Sequence, residues 1–371
     1  MESHGELLDW AISHGVKLSG IEPKCIPGRG IGLLATRAIE AGEIILEVPT
    51  KCLRSVDTVR KSITRHLPKA ISIHGLLAAD LALDASSKYA AWNAVCPKVE
   101  DFLTMPIFWA EELRALLPRA ARDILTKQEA KLAKDWAAVS AAFRDKLDEE
   151  KYMYAWMLVN TRTFYYVNAN LKKRGRDDHM CLQPVADLFN HGDEGCNVAF
   201  DDEGFEVKTL RPYEKGEEIK ICYGRHSGDF LLAEYGFVMD DNGWDEVLLD
   251  DVILPRLSAR QKERLEEVGF LGKYVLDSDT VCHRTQVAVR LLCCGIREWK
   301  RFVDGDDDGE RSQRAVDKVL LDLLQEQEQI AEKAISEIEA LNVGDEQQRD
   351  VLMKRWRQIQ NLVGINITHL Q

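Results

Sequence analysis

No stretch of this chain approaches the roughly 18 uninterrupted apolar residues of a membrane-spanning helix. The opening residues Met1-Glu2-Ser3-His4-Gly5-Glu6 also lack the basic region and apolar core of a secretory leader. Both absences point to the cytoplasm, the nucleus or both, with no membrane partner. Positive charge is in deficit: 49 Lys and Arg against 62 Asp and Glu give a formal net charge of -13. Binding to nucleic acid is therefore not expected and basic partners are favoured, although an acidic average leaves room for a local basic face. The nine cysteines are scattered. Apart from the adjacent Cys293 and Cys294, none stand in a close pair with zinc spacing, so no metal is expected and a reducing compartment is the simpler setting. Prolines are few, at 10 in 371 residues, and 45% of the chain is hydrophobic. Disorder is not the default for such a composition, and the length suits two domains.

Three familiar patterns are present only in part. Asp304, Asp306, Asp308 and Gly309 match the start of a calcium-binding loop, but its twelfth position is Ala315 where a bidentate glutamate is needed, so a solvated loop between helices is expected. Gly28-Arg29-Gly30-Ile31-Gly32 has the wrong third spacing for a dinucleotide fingerprint, and a strand follows it where a helix should. Asn366-Ile367-Thr368 is a glycosylation sequon without a secretory signal.

Periodicity divides the chain. Leu7, Leu8 and Ile12 suggest one helical face, and short strands follow at 30–36 and 43–48 around a glycine turn. Alanine- and leucine-rich helical segments then occupy an insertion at about 56–178, covering 71–83, 111–117, 121–142 and 149–159. Strand signals return at 197–200, 204–208 and 218–223, with Asp201-Asp202-Glu203-Gly204 as a hairpin turn. Beyond residue 240 the pattern is helical, with apolar spacing at Ile330, Ala334, Ile335, Ile338 and Leu341.

The chemistry-bearing residues cluster in two distant places. Near the start, Gly28-Arg29-Gly30-Ile31-Gly32-Leu33 precedes Gly42-Glu43-Ile44-Ile45-Leu46-Glu47-Val48-Pro49. Much later come Gln183-Pro184-Val185-Ala186-Asp187-Leu188-Phe189-Asn190-His191, then Gly216-Glu217-Glu218-Ile219-Lys220-Ile221-Cys222-Tyr223-Gly224, then Glu234-Tyr235-Gly236-Phe237. Taken singly, each has a plain structural use. A tyrosine ending a strand is usually packing, an Asn-His pair is often a turn or a satisfied buried histidine, Arg162 could be an exposed helical arginine, and Phe164, Tyr165, Tyr235 and Phe237 could be core rings.

Together these motifs resemble the two halves of a SET domain, and their wide separation with a helical tail is similar to the Rubisco large-subunit methyltransferase-like group of protein lysine methyltransferases. The resemblance implies an α+β fold: a SET-domain β fold over 1–240 with the helical insertion, followed by an all-helical C-terminal domain over 245–371 that binds substrate. It implies S-adenosylmethionine as methyl donor and a lysine-bearing, non-histone protein as acceptor, with a histidine or another amine as alternative acceptor, or a scaffold that has lost turnover. It assigns Tyr223 the catalytic position. Arg29, Gly30, Ile31, Arg162, Asp187, Leu188, Asn190, His191, Tyr223 and Phe237 would hold the donor, and Phe164, Tyr165 and Tyr235 the acceptor. In-line methyl transfer needs alignment and exclusion of water more than a strong base, and a phenol with a pKa near 10 suits shaping the site better than taking a proton. One departure stands out: relatives commonly carry asparagine where this chain has Gly228, which puts the turn before Tyr235 in doubt.

Overall fold

The structure, a computed structural model, describes residues 2–371. They form two compact units. The first comprises the residues up to Phe102 together with Lys127–Arg225, and the second comprises Leu103–Thr126 with His226–Gln371. This differs from the division expected at residue 240. Leu103–Thr126 lies within the helical insertion in sequence, yet Trp109, Leu113, Leu117 and Leu125 are buried in the same apolar cluster as Trp356 and Leu362. The Trp356 indole N–H donates to the Leu116 carbonyl at 2.8 Å, and the Gln348 amide to the Leu103 carbonyl at 2.8 Å. The boundary falls at Arg225, so Tyr235 and Phe237 belong to the second unit.

The strands of the first unit are, in chain order, β1 (Lys17–Leu18), β2 (Ile21–Ile26), β3 (Gly30–Ala35), β4 (Ile44–Pro49), β5 (Thr163–Tyr165), β6 (Met180–Leu182), β7 (Asn190–Phe200), β8 (Gly204–Lys208) and β9 (Glu218–Ile221). Seven of them form one sheet in the order β1-β4-β8-β7-β9-β3-β2, while β5 and β6 pair separately. Every neighbouring pair in the sheet is antiparallel except β7 and β9, which run parallel with Asn190 opposite Lys220 and His191 opposite Ile221. Parallel pairing sends the residues after His191 and after Ile221 in the same direction. Antiparallel pairing of β3 with β9, Leu33 opposite Ile219 and Leu34 opposite Glu218, runs the residues before Leu33 alongside those after Ile219. The glycine-rich segment and Tyr223 are thereby brought to one end of the sheet.

The inserted helices Ile73–Ala82 and Glu149–Arg162 pack on one another, with His74 stacked on Trp156 at 3.9 Å between ring centroids. Ser72 caps the first helix and Asp148 the second, each accepting a main-chain N–H. The N-terminal helix Glu2–Ser13 buries Leu7 and Ala11, whereas Ile12, expected on its inner face, is 57% exposed. A fixed apolar spacing located the helix but misjudged its rotation by one residue.

In the second unit the long helices Gln313–Ala340 and Glu346–Leu370 pack together, burying Ala334 and Ile338 as the spacing predicts. The acidic segment at 304–308 is a loop between helices, as expected. Asn366 is buried and its amide donates to the carbonyls of Asp277 and Leu362, so its sequon is unavailable to an enzyme acting from solvent.

Candidate active site

The site in the first unit is built around the start of β7 and the end of β9. The chain reaches β7 through a strained turn: Val185, fully buried and β-branched, has φ 68 and ψ -47, and the Ala186 N–H donates to the Pro184 carbonyl at 2.8 Å. These are the features of a γ-turn with positive φ, a rare conformation that persists where surrounding structure imposes it. It leads into the single helical turn Ala186–Leu188 and presents Asp187, Leu188, Phe189, Asn190 and His191 in succession.

Tyr223 is fixed at two points. Its main-chain N–H donates to Nδ1 of His191 at 3.1 Å, and its hydroxyl donates to the Phe189 carbonyl at 2.6 Å. The two rings lie 5.1 Å apart. Committing the hydroxyl proton to Phe189 directs the phenolic oxygen and leaves it as an acceptor toward other groups. Burial pushes the phenol up to about 12, with the carboxylates of Asp187 and Glu218 adding to the rise and the Arg162 guanidinium opposing it. The Tyr223 hydroxyl is therefore neutral at physiological pH.

Glu218 ties the two distant motifs together. Its Oε1 accepts from the Asn190 amide at 2.8 Å, and its Oε2 pairs with the Arg29 guanidinium at 2.7 Å. Gly32 permits this closeness, because a Cβ there would stand 2.8 Å from the Asn190 amide nitrogen and 2.4 Å from Ile26 Cδ1. The sequence reading did not single out Glu218. Its signal was available in strand alternation, which places a carboxylate on the half-buried face beside the partners expected of Arg29 and Asn190.

Arg162 ends the helix Glu149–Arg162, where a cation complements the helix dipole, and it donates to the Asp187 main-chain carbonyl. It is half-buried, not the exposed helical arginine that was the rival reading. Its Nε is buried without a protein partner, as is Oδ1 of Asp187, whose other oxygen accepts from the Trp92 indole at 2.8 Å. Burial raises the Asp187 carboxyl above its usual range, against the pull of Arg162. Trp92 also escaped the sequence reading, since nothing in a lone tryptophan of the insertion marks it as a partner of Asp187. A buried N–H donor and a buried carboxylate oxygen, both lacking protein partners, suit a zwitterionic amino-acid group. Gly30, with φ 73 and no atom within 4 Å of the place its Cβ would take, leaves main chain accessible beside Arg29 and Ile31. These residues fit an S-adenosylmethionine-like donor.

Phe164 and Tyr165 lie on β5. Phe164 meets the Phe205 ring at 6.2 Å, and Tyr165 meets Phe200 at 6.2 Å and His179 at 5.8 Å. Phe200 ends β7, ten residues along the strand from Asn190, and Phe205 lies at the start of β8 across the hairpin, while His179 immediately precedes β6. These ring contacts join β5 to the β7–β8 hairpin. Tyr235 and Phe237 flank Gly236, a left-handed helix cap, with their rings 6.2 Å apart in the second unit.

The turn around Gly228 is secured without an asparagine. Ser227 caps the helix Gly228–Tyr235, and the Gly228 N–H donates to Asp245 at 2.9 Å. Asp229 pairs with the fully buried Arg355 at 2.8 Å, and Arg355 also pairs with Asp245 at 2.6 Å. A Cβ at residue 228 would stand 2.6 Å from an Arg355 nitrogen, so the absent side chain makes room for this guanidinium.

Comparison with known proteins agrees with this geometry. The SET domain family profile matches residues 30–224, and the profile of the Ribosomal lysine N-methyltransferase 2 C-terminal domain matches residues 245–369. Among curated proteins, Ribosomal lysine N-methyltransferase set11 of Schizosaccharomyces pombe is 27% identical over 88% of this chain and 88% of its own length. Human SET domain-containing protein 4 is 26% identical over 81% of this chain and 75% of its own. Actin-histidine N-methyltransferase of Rattus norvegicus is 25% identical over 82% of this chain and 55% of its own. Among solved structures, Rubisco LSMT bound to AdoMet superposes with a TM-score of 0.64 at 17% identity, covering 100% of this chain and 93% of that one, which is a likeness of fold.

Proposed function

Because the chain belongs to the SET-domain family, we propose that it is an S-adenosylmethionine-dependent protein-lysine N-methyltransferase acting on a non-histone protein, with Tyr223 at the reacting centre. The observation that carries the reading is the doubly anchored Tyr223, held by His191 and Phe189 just beyond β9, the strand whose Glu218 joins Arg29 to Asn190. The donor supplies an activated methyl group on a sulfonium. Arg162 and Asp187 offer a counter-charge to each end of an amino-acid zwitterion, while Asn190, Arg29 and Glu218 fix the neighbouring wall. Tyr223 contributes a directed, neutral oxygen that orients an incoming amine and does not take its proton, which leaves to water.

Lysine is favoured over histidine because the C-terminal region matches the profile of a ribosomal lysine methyltransferase and set11 carries the same activity in its name. The helical region over 245–371 is the proposed docking site for the substrate protein, and a ribosomal protein is the first substrate to test. Cytoplasmic or nuclear residence is proposed on two grounds: all nine cysteines are free, and among the described residues no helix is long and apolar enough to cross a membrane. The test of activity is incubation with isotope-labelled donor and ribosomal proteins, followed by mapping of the labelled residue. Label on lysine supports the reading; label on histidine replaces the acceptor; no label on any protein, with the donor bound, leaves a scaffold.

A further inference from the structure

The first unit carries a basic face that the methyl-transfer reading does not use. Lys172, Lys173 and Arg176 are exposed on the loop that follows β5, and Lys61, Arg65 and Lys69 are exposed on the segment between β4 and the helix Ile73–Ala82. Arg174 ties the two segments together: its guanidinium donates to the carbonyls of Lys69 at 3.1 Å and Ile71 at 2.9 Å, and it pairs with Asp178 at 3.1 Å. Asp178 in turn accepts the Ile73 N–H at 2.7 Å. The loop is thus held in place by residues whose own charges are spent. Among the described residues, none of the six exposed cations forms an ion pair. The exposed acid within the loop is Asp177, while Asp57 nearby is held by Asn168 and Asn170.

An aromatic ring adjoins these charges. Tyr165 is 52% exposed, its hydroxyl lies 3.4 Å from His179 Nδ1, and the Arg176 guanidinium stands 5.9 Å from its ring centroid. We infer that this face binds single-stranded RNA, the lysines and arginines tracking phosphates and Tyr165 stacking on a base. Polyanion binding in a chain of net charge -13 is not a contradiction. Screening confines each charge to about 8 Å at physiological salt, so the local patch decides the encounter. A polyacidic protein would meet the same cations but has no use for a half-exposed ring among them, whereas alternating cations and aromatics are the usual means of holding a single strand.

The test is fluorescence anisotropy of a labelled uridine oligonucleotide with the full chain over a range of potassium chloride concentrations. The wild type should bind with an affinity that falls steeply as salt rises. Replacing Lys172→Gln and Lys173→Gln together should weaken binding and flatten the slope of log K against log salt by about 1.4, roughly 0.7 per phosphate contact on a single strand. Tyr165→Ala should weaken binding by about fivefold or more with the slope unchanged, as loss of stacking requires. Absence of binding at low salt, or an unaltered slope in the double lysine variant, would overturn the inference. Equal affinity for polyglutamate, indifferent to Tyr165→Ala, would assign the face to an acidic protein and overturn it equally. None of these readouts involves methyl transfer, so their failure and failure of the enzymatic reading are separate events.

Discussion

The main-chain N–H of Tyr223 donates to Nδ1 of His191, and that bond decides the state of the imidazole. An atom that accepts a hydrogen bond carries no proton, so His191 is the neutral tautomer protonated at Nε2. Two strands that run parallel are locked at their ends by one side chain, and the hydroxyl of Tyr223 is aimed as a result.

Tyr223→Phe removes the oxygen and keeps the ring. Turnover should fall on the order of a hundredfold, the usual cost of losing one preorganised polar contact at a reacting centre, while donor affinity by calorimetry stays within about twofold of wild type, since the ring is kept and the hydroxyl proton it loses is committed to the Phe189 carbonyl. Undiminished turnover would remove Tyr223 from the chemistry.

The pH dependence follows from the direction of the Tyr223 shift. An acid whose pKa is raised keeps its proton to higher pH, so the phenol, pushed up to about 12, stays neutral through the alkaline range of an assay. The acceptor lysine titrates at about 10.4 when free and must be neutral to react. The rate should therefore rise from pH 7 to about 10 with no falling limb from Tyr223. A decline near pH 10 that disappears in Tyr223→Phe would contradict the assigned ionisation.

Glu218→Ala leaves the Asn190 amide and the Arg29 guanidinium without their shared acceptor. The Arg29 side chain is 52% exposed, so its ion pair contributes little. The half-buried bond to Asn190 is a charge-assisted one, about 1.5 kcal/mol or more, and donor affinity should weaken about tenfold. The check is donor titration by calorimetry, with circular dichroism to confirm that the fold is retained; unchanged affinity would detach Glu218 from the site.

Arg355→Ala strands two acids, of which Asp229 is buried and already raised by desolvation. Losing one partner of a buried charge cluster costs about 3–5 kcal/mol. Urea unfolding followed by tryptophan fluorescence should show a loss of that order, whereas Lys333→Ala, at an exposed pair, should cost less than about 0.5 kcal/mol. Equal effects from the two substitutions would mean that Arg355 is not the anchor of its cluster.

The helices of the insertion and the strands at 197–208 were readable in sequence because their apolar periods and turn residues are local properties. The contacts of Phe164 with Phe205 and of Tyr165 with Phe200 were not legible, because an aromatic pair beside a motif looks the same in sequence whatever rings it meets. That Leu103–Thr126 packs within the second unit was hidden for a similar reason: chain continuity says nothing about which core accepts Trp109 and Leu113.

By itself the sequence determined the family and marked candidates for the donor site and the reacting tyrosine, because these depend on residue types at fixed short spacings. Only the tertiary structure decided what joins them. Glu218 between Arg29 and Asn190, Trp92 on Asp187, and Arg355 in the room left by Gly228 are contacts across many residues of chain, and no period or spacing encodes a partner that folding alone brings within 3 Å.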